Sequence, residues 1–359
     1  MTDRKEIFRI VYPDAEAAEA SESAGGSPSP VYASIGLLDD NYPVRTFFTT
    51  KIGGASKGEF ESLNMGPNTG DDIEIVKENR KRVFDLFGNA GYTEVMPQQV
   101  HGHVVQCIRK EDIARLSHRS EKADTERLTH CSERADVETA ANTEIAGDEK
   151  KSAETEPFEN ILYYPETDAT ITDAKNVILT SLHADCIPVW LYDPVRHAAG
   201  LAHAGWRGTH ADIAALTAKA MCREFGSKAE DIRAVIGPGI DMCCFETGED
   251  VKAAFEEKYG EDFFLADSGN SGNPGRSSRL GRPRHSGRLG HYDPELCRDD
   301  KNGKFHLNLK NINKKLLLRV GIRHIEISGL CTSCREDIFY SYRRDHGKTG
   351  RMCAGIVLL

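Results

Sequence analysis

The residues best suited to chemistry lie between Leu182 and Thr209, in the run L-H-A-D-C-I-P-V-W-L-Y-D-P-V-R-H-A-A-G-L-A-H-A-G-W-R-G-T. Two of them, Cys186 and His203, are the sulfur and nitrogen ligands that zinc takes, with thiolate at about 2.3 Å and imidazole at about 2.0–2.1 Å. A third, His101, stands in Gln98-Gln99-Val100-His101-Gly102-His103. A Cys/His/His set leaves a tetrahedral ion one open position, which is the pattern of a catalytic zinc rather than a structural one. Magnesium and calcium prefer oxygen ligands, whereas Cu2+ competes for zinc sites of this kind. Just past His203 comes Ala204-Gly205-Trp206-Arg207-Gly208, a glycine-rich turn feeding a helix. Free N–H groups and the positive end of the helix dipole make such a turn an anion site, and Arg207 adds a planar, two-pronged donor suited to phosphate.

Those side chains need elements to hold them. Ile187–Tyr192 and Ala198–Ala202 read as apolar strands joined by a turn at Asp193-Pro194-Val195-Arg196, because Asp bonds nearby backbone and Pro pre-sets φ. A hairpin centred on that turn sets Cys186 directly across from His203, close enough for one ion to reach both. A one-residue slip would break the pairing. Thr209, with Asp212 behind it, reads as the N-cap of a helix whose apolar positions Ile213, Leu216, Ala220 and Met221 recur at helical spacing up to Gly226. Upstream, Val44–Thr50 reads as a strand, Ser62–Gly66 as a loop, and Asp71 with Glu74 as the start of a helix. Val104–Ile108, Val177–Leu182, Ile232–Ile236, Ile325–Ile327 and Gly355–Leu358 read as further strands.

The chain has 359 residues, of which 39% are hydrophobic and 28% charged, more polar than a compact domain needs. The excess falls in three places. Residues 1–30 read as a disordered N-terminal tail. Residues 31–359 then form a single catalytic domain with disordered insertions at about 109–156 and 268–300, stretches poor in apolar residues. The net charge of −10 speaks against nucleic acid as a partner. No apolar run is long enough to cross a bilayer, and the start lacks a secretory signal, so the expected compartment is the cytoplasm, with its cysteines largely reduced. Cys331-Thr332-Ser333-Cys334 is one C-x-x-C pair. A structural zinc usually wants four protein ligands, so the pair alone reads as redox-active or incidental.

Several stretches together resemble a known family. Gln99-Val100-His101-Gly102, Ala184-Asp185-Cys186-Ile187-Pro188, Ala202–Gly208, Ile236-Gly237-Pro238 and Tyr342-Arg343-Arg344-Asp345 with Gly350-Arg351 look like the YfiH-type, laccase-domain family. Ser62–Gly66 and Asp168–Asp173 match it too, so the resemblance runs from about Val44 to Leu359 outside the two insertions. It implies an α/β (α+β) fold, a single-domain layered α-β-β-α sandwich of the kind shared with certain deamidating toxins. It implies zinc on His101, Cys186 and His203. It implies a purine nucleoside phosphorylase acting on adenosine, inosine and methylthioadenosine, with adenosine deamination as a second activity.

On that reading the partners are a small purine nucleoside and phosphate, with Arg207 holding the phosphate, Asp185 shuttling a proton beside the metal and Asn64 hydrogen-bonding substrate. Two other classes stay open. One is a copper-dependent polyphenol oxidoreductase, although the chain shows a single H-x-H pair, His101-Gly102-His103. The other is a non-catalytic binding or scaffold protein, for which the charged insertions are the only support. Oligomeric state is not legible.

Overall fold

A computed structural model describes residues 8–11, 29–87, 92–113, 161–260, 262–265, 293–300 and 302–359. Two sheets stack face to face. The first has seven strands in the spatial order β1 (Phe8–Val11), β2 (Tyr32–Ile35), β3 (Val44–Thr49), β16 (Met352–Leu358), β8 (Val177–His183), β4 (Thr93–Pro97) and β6 (Ile161–Tyr164). The second has six, in the order β15 (His324–Ile327), β11 (Arg233–Ile236), β9 (Ile187–Asp193), β10 (Ala198–Ala204), β7 (Ala169–Thr172) and β5 (Val105–Ile108). A small third sheet holds β12 (Glu246–Thr247), β14 (Phe305–Leu307) and β13 (Cys297–Asp299).

Helices cover both outer faces. The α-helices are α1 (Gly36–Asp39), α2 (Ile73–Leu86), α3 (Trp206–His210), α4 (Ile213–Phe225), α5 (Glu249–Tyr259) and α6 (Leu309–Arg319). The period of two along each strand assigns side chains to layers. On β16, Ala354 and Ile356 face the other sheet, while Cys353 and Val357 face the α2 side. On β9, Trp190 and Tyr192 point between the sheets, while Val189 and Leu191 point toward α4 and α6. Strands covered on both faces read as unbroken apolar runs, and β9 and β10 are buried at every position. The expected α-β-β-α layering is borne out. Among the described residues no helix is long and apolar enough to cross a membrane.

Four local expectations need correction. Phe8–Val11, placed in the tail, pairs antiparallel with β2 and buries Phe8 against Trp190, a contact that composition averaged over thirty residues hides. The outer parts of both expected insertions belong to the fold: Arg109 pairs with Glu224, Ile113 packs on the inter-sheet core, and β13 pairs with β14. The intervening 114–160 and 266–292 lie outside the described residues. Helix α2 is capped by Asp72, whose carboxylate accepts from Glu74 N–H, not by Asp71, which instead accepts from Ser56 and Asn64. Thr209 caps nothing. It lies buried inside α3, which Gly205 begins, and α4 starts afresh after Asp212 in a left-handed conformation.

Candidate metal centre

Strand direction brings the three expected ligands to one end of the sandwich. β4 runs parallel to β8 in the first sheet, and β5 and β7 run parallel to each other in the second. Both β7 and β9 lie antiparallel to β10 and so share a direction. The β4–β5 and β8–β9 connections therefore cross between sheets at the same end. The first crossing carries His101, at φ +59°, and the second carries Cys186, next to Asp185 at φ +86°. The end of β10 meets the start of β9 there and supplies His203. The ligand atoms of His101, Cys186 and His203 all lie within 4.8 Å of one another.

The hairpin register differs from the expected one. His203 stands opposite Pro188, not Cys186. The connecting loop is four residues, 194–197, because Asp193 stays in the ladder opposite Ala198 while its Oδ1 accepts from the N–H groups of Val195 and Arg196. His197 closes the loop at φ +50°. The register moves by two residues, which leaves every side chain on its expected face. Cys186 thus sits one step beyond the ladder. A Cβ on Gly205 would stand 2.8 Å from the Cys186 Sγ and 3.0 Å from the His101 Cδ2. Gly205→Ala should therefore yield a folded protein whose affinity for a metal ion at these three residues falls by roughly 10-fold or more, the scale on which disturbed ligand geometry is felt. A chelator competition paired with a melting curve measures both, and unchanged affinity would mean that the sulfur and the ring can step aside.

Asp168, not singled out from sequence as a functional residue, organises the centre. Its Oδ1 accepts from His203 Nδ1 at 2.9 Å and from the His101 N–H, and its Oδ2 accepts from the Val100 and Gly102 N–H groups. The carboxylate fixes the His203 tautomer, leaves Nε2 as the free lone pair, and ties the His101 loop to the same anchor. Burial opposes ionisation of Asp168, but the His203 and backbone hydrogen bonds prevail and hold it below the usual range. Burial likewise opposes ionisation of Cys186, yet the neighbouring His203 and His101 bring its thiol down to about 6. The same pairing, against burial, lifts His203 to about 9. A cation bound here would displace the proton held on His203 and leave a thiolate and a neutral imidazole as ligands. His183 is the opposite case: burial and the His203 charge drive it well below the ordinary value. Its Nδ1 donates to the Cys186 carbonyl at 3.0 Å and its Nε2 meets Ser181 Oγ at 2.7 Å, so it props the loop rather than joining the ligands. A donor set of one thiolate and two imidazoles suits zinc and leaves a position open.

The centre forms the floor of a cavity of about 590 Å³ whose walls include Gln99, Ile240, Phe245, Tyr342 and the cations Arg207, Arg343 and Arg351. Arg207 is exposed, lies over the Trp206 ring at 4.5 Å, and has no acidic partner among the described residues. Arg351 is half-buried and spends only Nη1, on the carbonyls of Thr349 and Gly350. Arg343 is tied by Nη1 to Cys244 and Glu246 carbonyls. Arg344 is consumed inside the protein, on Asp345 and the carbonyls of Thr332, Ser333 and Phe339.

Two expected site residues are engaged with other parts of the protein. Asp185 lines the cavity, but its Oδ1 accepts from Thr332 Oγ1 at 2.7 Å, and its Oδ2 from Ser341 Oγ at 3.0 Å and Arg343 N at 2.7 Å. Both oxygens are engaged in holding the 332–343 loops, so the contacts seen give Asp185 a positioning role. Asn64 is fully buried. Its amide donates to Thr69 and Asp71, and its carbonyl accepts from Gly66 N–H and Arg351 N–H, so it positions the wall and reaches no substrate. Short polar residues inside a motif look alike in sequence whether they face a ligand or another loop.

Known proteins share this architecture. The crystal structure of YlmD from Geobacillus stearothermophilus superposes with a TM-score of 0.67 at 27% identity, over 99% of both chains. That of the Bacillus licheniformis hypothetical protein YfiH gives 0.66 at 31%, over 91% of this chain and 96% of that one. The purine nucleoside phosphorylase YlmD of Bacillus subtilis is 31% identical over 324 residues, covering 88% of this chain and 89% of that protein. The family pattern described as “Multi-copper polyphenol oxidoreductase laccase” matches residues 45–276 and 286–359. With the sandwich, the ordered motifs and this pattern in agreement across nearly the whole chain, the protein belongs to the multi-copper polyphenol oxidoreductase laccase, or YfiH-type, family.

Proposed function

We propose that the chain is a zinc-dependent purine nucleoside phosphorylase that cleaves adenosine, inosine and methylthioadenosine with phosphate, and that it deaminates adenosine as a second activity. The observation that carries the reading is one cavity with a Cys/His/His floor and unspent guanidinium donors on its wall. The kinship with proteins named purine nucleoside phosphorylase, at 31% and 32% identity over most of both chains, supports the same class.

In phosphorolysis, phosphate attacks the ribose C1′ as the purine leaves, so positive charge builds on the sugar and negative charge on the base. Arg207 and Arg351 orient the phosphate and offset its charge as it approaches. Asp168 holds His203, and with it the ligand set, in a single geometry. Ile240 and Phe245 exclude water from one side of the cavity, and Asp185 keeps Arg343 and the Thr332 turn in place against it. Zinc held by His101, Cys186 and His203 would supply a Lewis acid to a substrate heteroatom.

A copper polyphenol oxidoreductase has the family's description in its favour. A trinuclear copper cluster beside a blue site needs many imidazoles, however, and among the described residues each candidate metal group carries at most two. The deciding assay incubates purified protein with adenosine, with and without phosphate, and follows adenine, ribose 1-phosphate and inosine. Adenine and ribose 1-phosphate should appear in equal amounts and only with phosphate, while inosine should form without it. Oxidation of a catechol with no nucleoside cleavage would sink the reading.

A further inference from the structure

The C-x-x-C pair is not alone in space. The turn carrying Cys243 and Cys244, between β11 and β12, folds against the turn Cys331–Cys334 beyond β15. Gly239 and Cys331 form a parallel bridge between the two segments. The Cys334 sulfur lies 3.4 Å from that of Cys243 and 3.4 Å from that of Cys244. All four Sγ atoms fall within 4.8 Å of one another.

A tetrahedral ion with Zn–S bonds of about 2.3 Å has S···S edges of about 3.8 Å, a value that lies between the 3.4 Å of the two Cys334 pairs and the 4.8 Å within which all four sulfurs fall. The Asp241 N–H donates to the Cys331 sulfur at 3.4 Å, the kind of backbone donor that steadies a ligating thiolate. Chemically, four thiols crowded together with no cation and no disulfide would be poor packing, since each sulfur offers its neighbours only a weak acceptor.

We propose that Cys243, Cys244, Cys331 and Cys334 form a second metal site, a closed tetrathiolate centre that takes zinc. Binding releases the four thiol protons and involves no electron transfer. All four positions are filled by protein, so the site is structural. Its place in the fold gives it a purpose. One turn leads into Phe245 and follows Ile240, both in the cavity wall. The other carries Thr332, whose hydroxyl holds Asp185, and Arg344 grips the carbonyls of Thr332 and Ser333. The ion pins two distant loops that together shape the cavity. This assignment is independent of the activity proposed above.

The test uses the full-length protein, purified reduced from zinc-replete medium. Native mass and elemental analysis should give two zinc per chain in the wild type, and one in Cys243→Ser/Cys334→Ser. Cobalt(II) added to metal-stripped Cys186→Ala, which lacks the cavity thiolate, should give one equivalent of tetrahedral cobalt with strong thiolate charge-transfer bands. Cys222→Ser, remote on α4, should leave the zinc count unchanged. The proposal is overturned if folded Cys186→Ala takes up no thiolate-bound cobalt, if the wild type holds iron at these sulfurs, or if thiol counting finds a disulfide among them in place of metal. Should the double variant fail to fold, the wild-type count and the cobalt spectrum still decide.

Discussion

Cys186→Ala should bind one zinc fewer per chain than the wild type and lose phosphorolysis by more than about 100-fold, since disturbing even a ligand's supporting partner costs roughly 10–100-fold. The sulfur is the one anionic ligand of its set, and it faces His203 and His101 across the cavity floor. Without it, two imidazoles remain, one of them on an exposed loop, too few to hold an ion tightly. Cys222→Ala, away from the cavity, should keep both the metal and the rate. Elemental analysis and the adenine-release assay on the same preparations check the two effects together. Full zinc retention with lost activity would assign Cys186 a direct part in the reaction instead of a ligand role.

Arg207→Ala should separate phosphorolysis from deamination. The guanidinium sits in the first turn of α3, four residues past His203, exposed and without an acidic partner among the described residues. It is free to meet an anion. Phosphorolysis needs that anion and water attack on adenine does not. Losing one charge-assisted contact of about 1.5–3 kcal/mol should slow phosphorolysis by roughly 10- to 100-fold, with the deficit concentrated in the apparent affinity for phosphate. Deamination should change little. Arg207→Lys should recover only part, because the charge returns without the two-pronged geometry. The measurement is the ratio of the two rates at matched zinc content. An unchanged ratio would move the phosphate to Arg351 and Arg343, the other cations of the wall.

What the chain spells out by itself is its central strands, a covering helix and the ligand types, while the layering is an expectation from the family resemblance. Runs buried on both faces, such as Ile187–Asp193 and Ala198–Ala204, announce central strands, and the spacing of Ile213 to Met221 announces a covering helix. The soft ligands Cys186 and His203 are legible because their chemistry is rare and their faces follow from a period of two, which survives a register error of two residues. Tertiary structure alone decided the rest. His101 reaches Cys186 only because two crossings between sheets run the same way. Asp168 becomes the anchor of His203 by standing where those crossings meet. Asn64 and Asp185 are spent on distant loops, and Cys331 and Cys334 gain Cys243 and Cys244 from another part of the chain. Local sequence sets which face a side chain takes and what it can bond. Which partner meets it is set by strand order, which arises from packing two sheets together and has no local signal.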